Sequence, residues 1–226
     1  APWPIAAFQE AVGLDRARCT YLPVVPGLDS MQAAPVIEEN KMVSVFHLDG
    51  WDNKNFEGMA LAVRKLVDTH FEAHKALSLD IYGRGSAQTV LTLEKFIRKH
   101  DLQDHVRLMG PIENKKMPKM FSDYAAFVLP SKSESYGLVF AEALFSGLPV
   151  LCNAHRGISG YFNFDDIGAG CDANSVRSIA VGMSQILLKQ EELKAKIAQK
   201  QKDGDFDLML KKNILKTYKD TLDGVL

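Results

Sequence analysis

Residues 125–152 read AAFVLPSKSESYGLVFAEALFSGLPVLC, and the order of patterns in this run decides the fold. A short apolar run, AAFVL, suits a strand buried on both faces. A polar loop of Ser, Lys and Glu follows. Residues 138–146 then carry an apolar helical pattern that Gly147 stops, and PVLC begins a second buried strand. A strand joined to the next by a helix is a parallel crossover unit, since a tight hairpin has no room for the helix.

The same unit recurs on both sides. Upstream, residues 42–48 (MVSVFHL) predict a strand, and an amphipathic helix runs from Asn55 to about His74 through Phe56, Met59, Val63 and Leu66. Residues 77–82 (LSLDIY) predict a second strand ended by Gly83-Arg84-Gly85. A helix through Leu91, Leu93, Phe96 and Ile97 leads to a third strand, residues 106–109, closed by Gly110-Pro111. A short helix spans about residues 117–122. Downstream of Asn174 the chain is mostly helical, over residues 175–188, 191–202 and 208–222. Strands separated by crossover helices predict an α/β, doubly wound parallel sheet. The first forty residues differ. They hold five of the nine prolines, one short helical pattern at residues 5–12 and a strand-like run at residues 21–27.

Composition removes several classes of function. The 226 residues are 46% hydrophobic and 24% charged with a net charge of -1, which fits a globular chain and lacks the Lys/Arg excess of a nucleic-acid footprint. The longest apolar stretch, residues 137–152, is broken by Glu142 and is shorter than the ~20 residues that cross a bilayer. Cys19, Cys152 and Cys171 are scattered and odd in number, so they predict buried thiols in a reducing compartment.

Chemistry concentrates where the 125–129 strand meets its helix. In doubly wound sheets ligands bind at the carboxyl ends of the strands, and a helix start offers unpaired N–H groups to phosphate oxygens. Gly137 lets a ligand approach the backbone there. Glu134 precedes the helix, and Glu142 follows eight residues later, a rise of ~12 Å and a rotation of about 80° past two full turns. That spacing is too long for two carboxylates acting on one bond, which stand ~5–10 Å apart. It suits two ends of one extended ligand.

This segment resembles the E-x7-E motif of retaining glycosyltransferases with the GT-B fold, the family called glycosyl transferases group 1, or family 4. Asp80 to Gly85 resembles that family's strand and G-x-G turn, and Val106 to Gly110 resembles its next strand. The residues Phe127 to Ser131, Glu134, Gly137, Glu142-Ala143 and Gly147 to Val150 resemble its core pattern, and Val24 to Asp29 resembles the junction between its two domains. The likeness runs in order from Tyr21 to about Leu222. It implies that Glu142 binds the ribose of a sugar nucleotide and that Glu134 lies by the donor sugar. It also implies that backbone N–H groups of Tyr136, Gly137, Leu138 and Val139 meet the sugar and diphosphate. Gly110, Pro111 and Ile112 would line the base, with Gly83 in the turn nearby. Lys54 would neutralise the departing diphosphate.

The resemblance further implies a division into residues 1–40 as a linker-derived segment, 41–206 as the Rossmann-like nucleotide-sugar domain and 207–226 as a C-terminal helix that reaches toward an N-terminal domain. The chain is therefore expected to be the C-terminal half of a longer enzyme and inactive alone. The expected donor is a UDP-, GDP- or ADP-sugar, acting as substrate with no cofactor and no metal. The expected acceptor is a glycan or lipid-linked glycan, and no nucleic acid is expected to bind. The expected location is cytoplasmic, with any membrane contact made through the other half. Two alternatives stay open: a sugar-nucleotide-binding module without turnover, and an interaction domain built on the same fold.

Two departures bear on this reading. Where the family places an arginine ahead of its lysine, this chain has Leu48 and Asp49, and a carboxylate there would repel a diphosphate. Arg84 and Arg156 are the candidate replacements. The run from His155 to Gly160 replaces the family's G-G-x-x-E. Weaker signals point elsewhere: Gly83-Arg84-Gly85 lacks the third glycine and the acidic partner of a dinucleotide fingerprint, and His70 and His74 lack the glutamate of a metalloprotease helix. No G-x-S-x-G surrounds Ser131, Ser133 or Ser135. His47 ends its strand as a core, loop or ligand-facing residue, and Trp51 fits either stacking on a sugar or packing.

Overall fold

A computed structural model describes residues 31–35, 40–69 and 76–223. The helix expected at residues 5–12, the strand-like run at 21–27, Cys19, His70 and His74 lie outside the described residues. From the amino side the elements are β1 (Lys41–Val45), α1 (Phe56–Val67), β2 (Ser78–Tyr82), α2 (Ala87–Lys99), β3 (Val106–Gly110) and α3 (Met117–Phe121). They continue with β4 (Ala126–Leu129), α4 (Leu138–Phe145), β5 (Val150–Asn153), α5 (Phe164–Ile167) and β6 (Gly168–Cys171). Three helices, α6 (Val176–Leu188), α7 (Gln190–Asp203) and α8 (Lys211–Asp223), complete the described chain.

The six strands form one sheet in the order β3-β2-β1-β4-β5-β6, with every neighbouring pair parallel. This is the doubly wound arrangement expected from the sequence. The order reverses between β1 and β4, so their carboxyl ends open the crevice where such folds bind ligands. The central strands carry no polar face because helices cover both sides. Met42 and Val43 of β1 and Phe127 and Val128 of β4 are fully buried.

The ring of Phe127 meets Phe121 on α3 and Phe140 on α4 edge to face, with centroids 5.9 and 5.5 Å apart. This aromatic chain anchors the first turn of α4 to the sheet. The far end of α4 stops at Gly147, as expected. The Leu148 N–H returns to the Ala143 carbonyl at 2.9 Å and the Gly147 N–H to Leu144 at 3.0 Å, the paired bonds of a Schellman stop.

Behind that stop, residues 31–35 are tied to the domain. The Gln32 N–H donates to the Phe145 carbonyl at 2.7 Å. Buried Lys194 donates to the carbonyls of Pro35 and, at 3.2 Å, Tyr124. Burial pulls its ammonium down to about 8. On β2, buried Asp80 receives two bonds from Arg107, at 2.6 and 3.1 Å, and one from the Tyr124 hydroxyl at 2.7 Å. That carboxylate is consumed by the fold.

Two local expectations differ from the structure, and one strand was not expected at all. The first strand ends at Val45 because Leu48 to Gly50 wind into a 3-10 turn. Helix α1 ends at Val67, short of His74. Strand β6 carries no sequence signal because GAGC is short, glycine-rich and without a period. Its glycine is needed by its neighbour: a Cβ on Gly168 would fall 1.9 Å from the Val150 carbonyl oxygen. Cys152 and Cys171 lie on adjacent strands as buried free thiols, and burial pushes the Cys171 thiol up to about 12.

Candidate functional site

Two hollows open side by side at the carboxyl ends of the strands. The first, about 400 Å³, is lined by Phe46 and His47 after β1, by Lys54 and Glu134, and by Tyr136 to Val139 at the start of α4. The second, about 490 Å³, is lined by Leu48, Arg84, Leu108 and the expected residues Gly83, Gly110 and Pro111. Between them lies the turn after β1, whose Leu48 N–H is bonded to the Arg84 carbonyl at 2.6 Å. The expected residues other than Ile112 and Glu142 thus divide into two sets joined by one ridge, a shape suited to a ligand with two ends.

In the first hollow Lys54 Nζ stands 2.6 Å from Glu134 Oε2, and both side chains are largely shielded, at 25% and 14% exposure. The sequence places these residues eighty positions apart. Three asparagines bring them together. Asn53 exchanges two hydrogen bonds with the Ser133 backbone, Nδ2 to O at 2.9 Å and N–H to Oδ1 at 3.0 Å. Asn55, buried and left-handed at φ 60, donates to the carbonyls of Pro130 (3.1 Å) and Ala173 (2.7 Å). Asn153 donates to the Ser131 carbonyl at 3.0 Å. Sequence reasoning passed over all three. Asn55 alone carried a usable signal, because Asn is the side chain best suited to a left-handed turn ahead of a helix.

Gly137 caps α4 at φ 75 and no side chain bonds to the helix start, which leaves that end to a ligand. A Cβ on Gly137 would lie 2.5 Å from the Phe140 ring, so close packing and backbone conformation both require glycine. Tyr136, buried, sets its ring edge to face against Tyr161, with centroids 5.7 Å apart, and is among the residues that line the hollow. Glu142 lies one turn inside α4, at 8% exposure, and does not line either hollow. Ile112 packs half-buried against the core beside Pro111.

The departures take definite places. Asp49 does not face the Lys54 hollow. Its Oδ1 accepts from the Thr89 hydroxyl (2.5 Å), the Ser86 N–H (2.9 Å) and the Ser86 hydroxyl (3.0 Å) at the start of α2. Those bonds, the one from Thr89 foremost, hold its carboxyl below the usual range. Arg84 lines the second hollow, and Arg156 donates to the His155 carbonyl at 3.1 Å. The loop that replaces the family's glycine pair is fastened to the motif, since the Gly157 N–H donates to the Glu134 carbonyl at 3.1 Å. Trp51 packs half-buried and lines a separate small cavity with Phe56 and Phe96. Among the described residues no group of three His, Cys, Asp or Glu side chains is placed to hold a metal.

Residues 30–203 match the family described as Glycosyl transferases group 1. The chain belongs to this family. Among relatives, the UDP-N-acetylglucosamine--peptide N-acetylglucosaminyltransferase GtfA subunit of Streptococcus pneumoniae is 36% identical over 89 residues, 38% of this chain and 17% of that protein. The crystal structure of the pneumococcal O-GlcNAc transferase GtfA in complex with UDP and GlcNAc superposes with a TM-score of 0.76 at 20% identity, over all of this chain and 44% of that one. Sucrose-phosphate synthase from Thermosynechococcus elongatus gives 0.77 at 16% identity, over 97% of this chain and 57% of that one. The Rossmann-like α/β fold is that of GT-B glycosyltransferase structures. The chain spans less than a fifth of the length of the curated streptococcal relative in the aligned region, and less than half of the pneumococcal structure.

Proposed function

We propose that this domain is the donor-binding half of a retaining glycosyltransferase that moves a sugar from a nucleoside diphosphate to a hydroxyl of a glycan or lipid-linked glycan. The observation that carries the reading is the Lys54–Glu134 pair at the uncapped start of α4, beside a second hollow of suitable size. The base and ribose occupy the hollow at Gly83, Gly110 and Pro111, with Ile112 behind it. The diphosphate crosses the ridge to Lys54 and the N–H groups of Gly137, Leu138 and Val139. The sugar lies by Glu134 and Tyr136.

As the bond from sugar to diphosphate lengthens, negative charge grows on the leaving oxygen and positive charge on the sugar ring. An ammonium and aligned N–H groups facing the first, and a carboxylate facing the second, stabilise that separation more than they stabilise the ground state. Lys54 and Glu134 neutralise each other, so donor entry exchanges their mutual bond for bonds to opposite ends of the reacting link. Glu142 serves the ribose after a shift that brings its buried carboxylate to the groove. An N-terminal half of the same protein supplies the acceptor site. The streptococcal likeness makes UDP-N-acetylglucosamine the first donor to test, and the cytoplasm is the matching compartment. No helix among the described residues is long and apolar enough to cross a membrane.

The loss of the family arginine favours a second reading, a binding module with weak turnover. Its position is taken by buried Leu48 and by an Asp49 engaged with α2. Sugar transfer by the full-length protein distinguishes the two, because only the first reading predicts turnover.

Calorimetry with UDP, GDP and ADP and their sugar forms tests the shared claim. One nucleotide is expected to bind well below millimolar, and Glu142→Gln is expected to weaken it by about tenfold while the domain stays folded. Failure of every nucleotide to bind, or unchanged affinity in Glu142→Gln, overturns the reading.

A further inference from the structure

The pairing between β1 and β4 ends before the charged pair is reached. These strands pair at Met42 with Ala126 and at Val43 with Phe127, and their last residues, up to Val45 and Leu129, pair with β2 and β5 before the chains turn into loops. Beyond β1, residues 52–54 return alongside residues 132–134. What joins them is the Asn53 side chain behaving as a peptide unit. Its Oδ1 accepts from the Ser133 N–H at 3.0 Å, its Nδ2 donates to the Ser133 carbonyl at 2.9 Å, and its own carbonyl accepts from the Lys132 N–H at 2.8 Å. This is a ladder rung rebuilt from a side chain. The next residue on each side is the charged pair, Lys54 and Glu134. Beyond the rung on the other side, Lys132 Nζ meets Asp52 Oδ1 at 2.5 Å.

We infer that Asn53 is a positioning residue that registers the Lys54 loop against the Glu134 loop, and thereby aims the Lys54 ammonium at the departing diphosphate. The inference rests on the function proposed above and assigns a residue which that reading does not need. A lysine is a point charge on a flexible stem, so the reach of its ammonium depends on where the backbone holds its root. Asn53 itself is exposed. Hydrogen bonds so open to water contribute little to stability, whereas a small displacement of a charge from the reacting bond is costly to rate.

The test uses the full-length protein and release of the nucleoside diphosphate, UDP or GDP, from the best bound of UDP-N-acetylglucosamine, UDP-glucose and GDP-mannose. Asn53→Ala is expected to lower kcat by about a hundredfold while the donor KM and the melting temperature stay near those of the parent. In a Lys54→Ala background the same change is expected to cause no further loss, since both act on one charge. Asn53→Asp keeps the shape and the bond from the Ser133 N–H but loses the donor, and is expected to fall between parent and Asn53→Ala. It carries the test if the alanine variant does not fold. Parent-like kcat in Asn53→Ala beside an impaired Lys54→Ala overturns the inference alone, and so does an additive loss in the double variant. Parent-like turnover in Lys54→Ala, or no turnover by the parent itself, overturns the function and the inference together.

Discussion

Asp49 and Lys54 stand five residues apart in one turn after β1, and the fold turns them to opposite sides. The Asp49 carboxylate faces α2, where it collects bonds from Ser86 and Thr89. The Lys54 ammonium faces α4 and meets Glu134. Both charges lie beside a helix start, yet one start is filled by the protein's own carboxylate and the other has no side-chain cap. The difference shows that a charge near a ligand site carries meaning only once its partner is known. From sequence, Asp49 reads as a charge opposed to diphosphate. In the structure it is a brace that holds the ridge between the two hollows.

The largest effect that could break this comparison is on turnover. Lys54→Ala is expected to lower sugar transfer by about a hundredfold to a thousandfold, the scale of losing one group that stabilises a developing charge. Asp49→Ala is expected to retain most of the activity, with its cost appearing as a lower melting temperature. Equal losses of transfer would show that the two charges share one task.

Next comes the joint that separates their directions. Asn55→Ala removes two buried bonds and puts alanine in a left-handed turn, so chemical denaturation is expected to show a loss of roughly 2–4 kcal/mol. Asn55→Gly is expected to be milder by about 1 kcal/mol, because glycine accepts that conformation without strain. Equal losses would place the whole effect in the hydrogen bonds.

The smallest effect lies at the opposite end of the sheet and sharpens the contrast between a charge with a carboxylate partner and one without. Lys194 donates only to carbonyls, and its folded value of about 8 is below the ordinary 10.5. Between those values the unfolded chain binds more protons than the folded one. Stability therefore rises with pH across that window. Lys194→Met is expected to flatten the rise in the denaturation midpoint, and an unchanged slope would show that another group titrates there.

Much of the fold was legible because the central strands are buried on both faces and therefore appear as uninterrupted apolar runs. Strand β6 was not, since GAGC owes its pairing to close approach by β5 and carries no pattern of its own. The same limit applies within the site. Glu134 and Gly137 stood out by residue type and spacing, and Lys54 through the resemblance to the family. Asn53 and Asn153 did not, because an asparagine that bonds to a distant loop looks in sequence like any polar turn residue. The burial of Glu142 inside an apolar helix could be suspected from its neighbours, but its place away from both hollows could not.

Local period and residue type at set spacings were enough for the crossover units, for the strand end that carries the site and for the resemblance to the family. The strand order that puts the crevice between β1 and β4 was not readable from them. Which charges meet is a property of the folded chain. Lys54 and Glu134 are eighty residues apart, and their 2.6 Å contact depends on loops joined by side chains. A hydrogen bond is short-ranged and directional, so its existence depends on coordinates that no local pattern encodes.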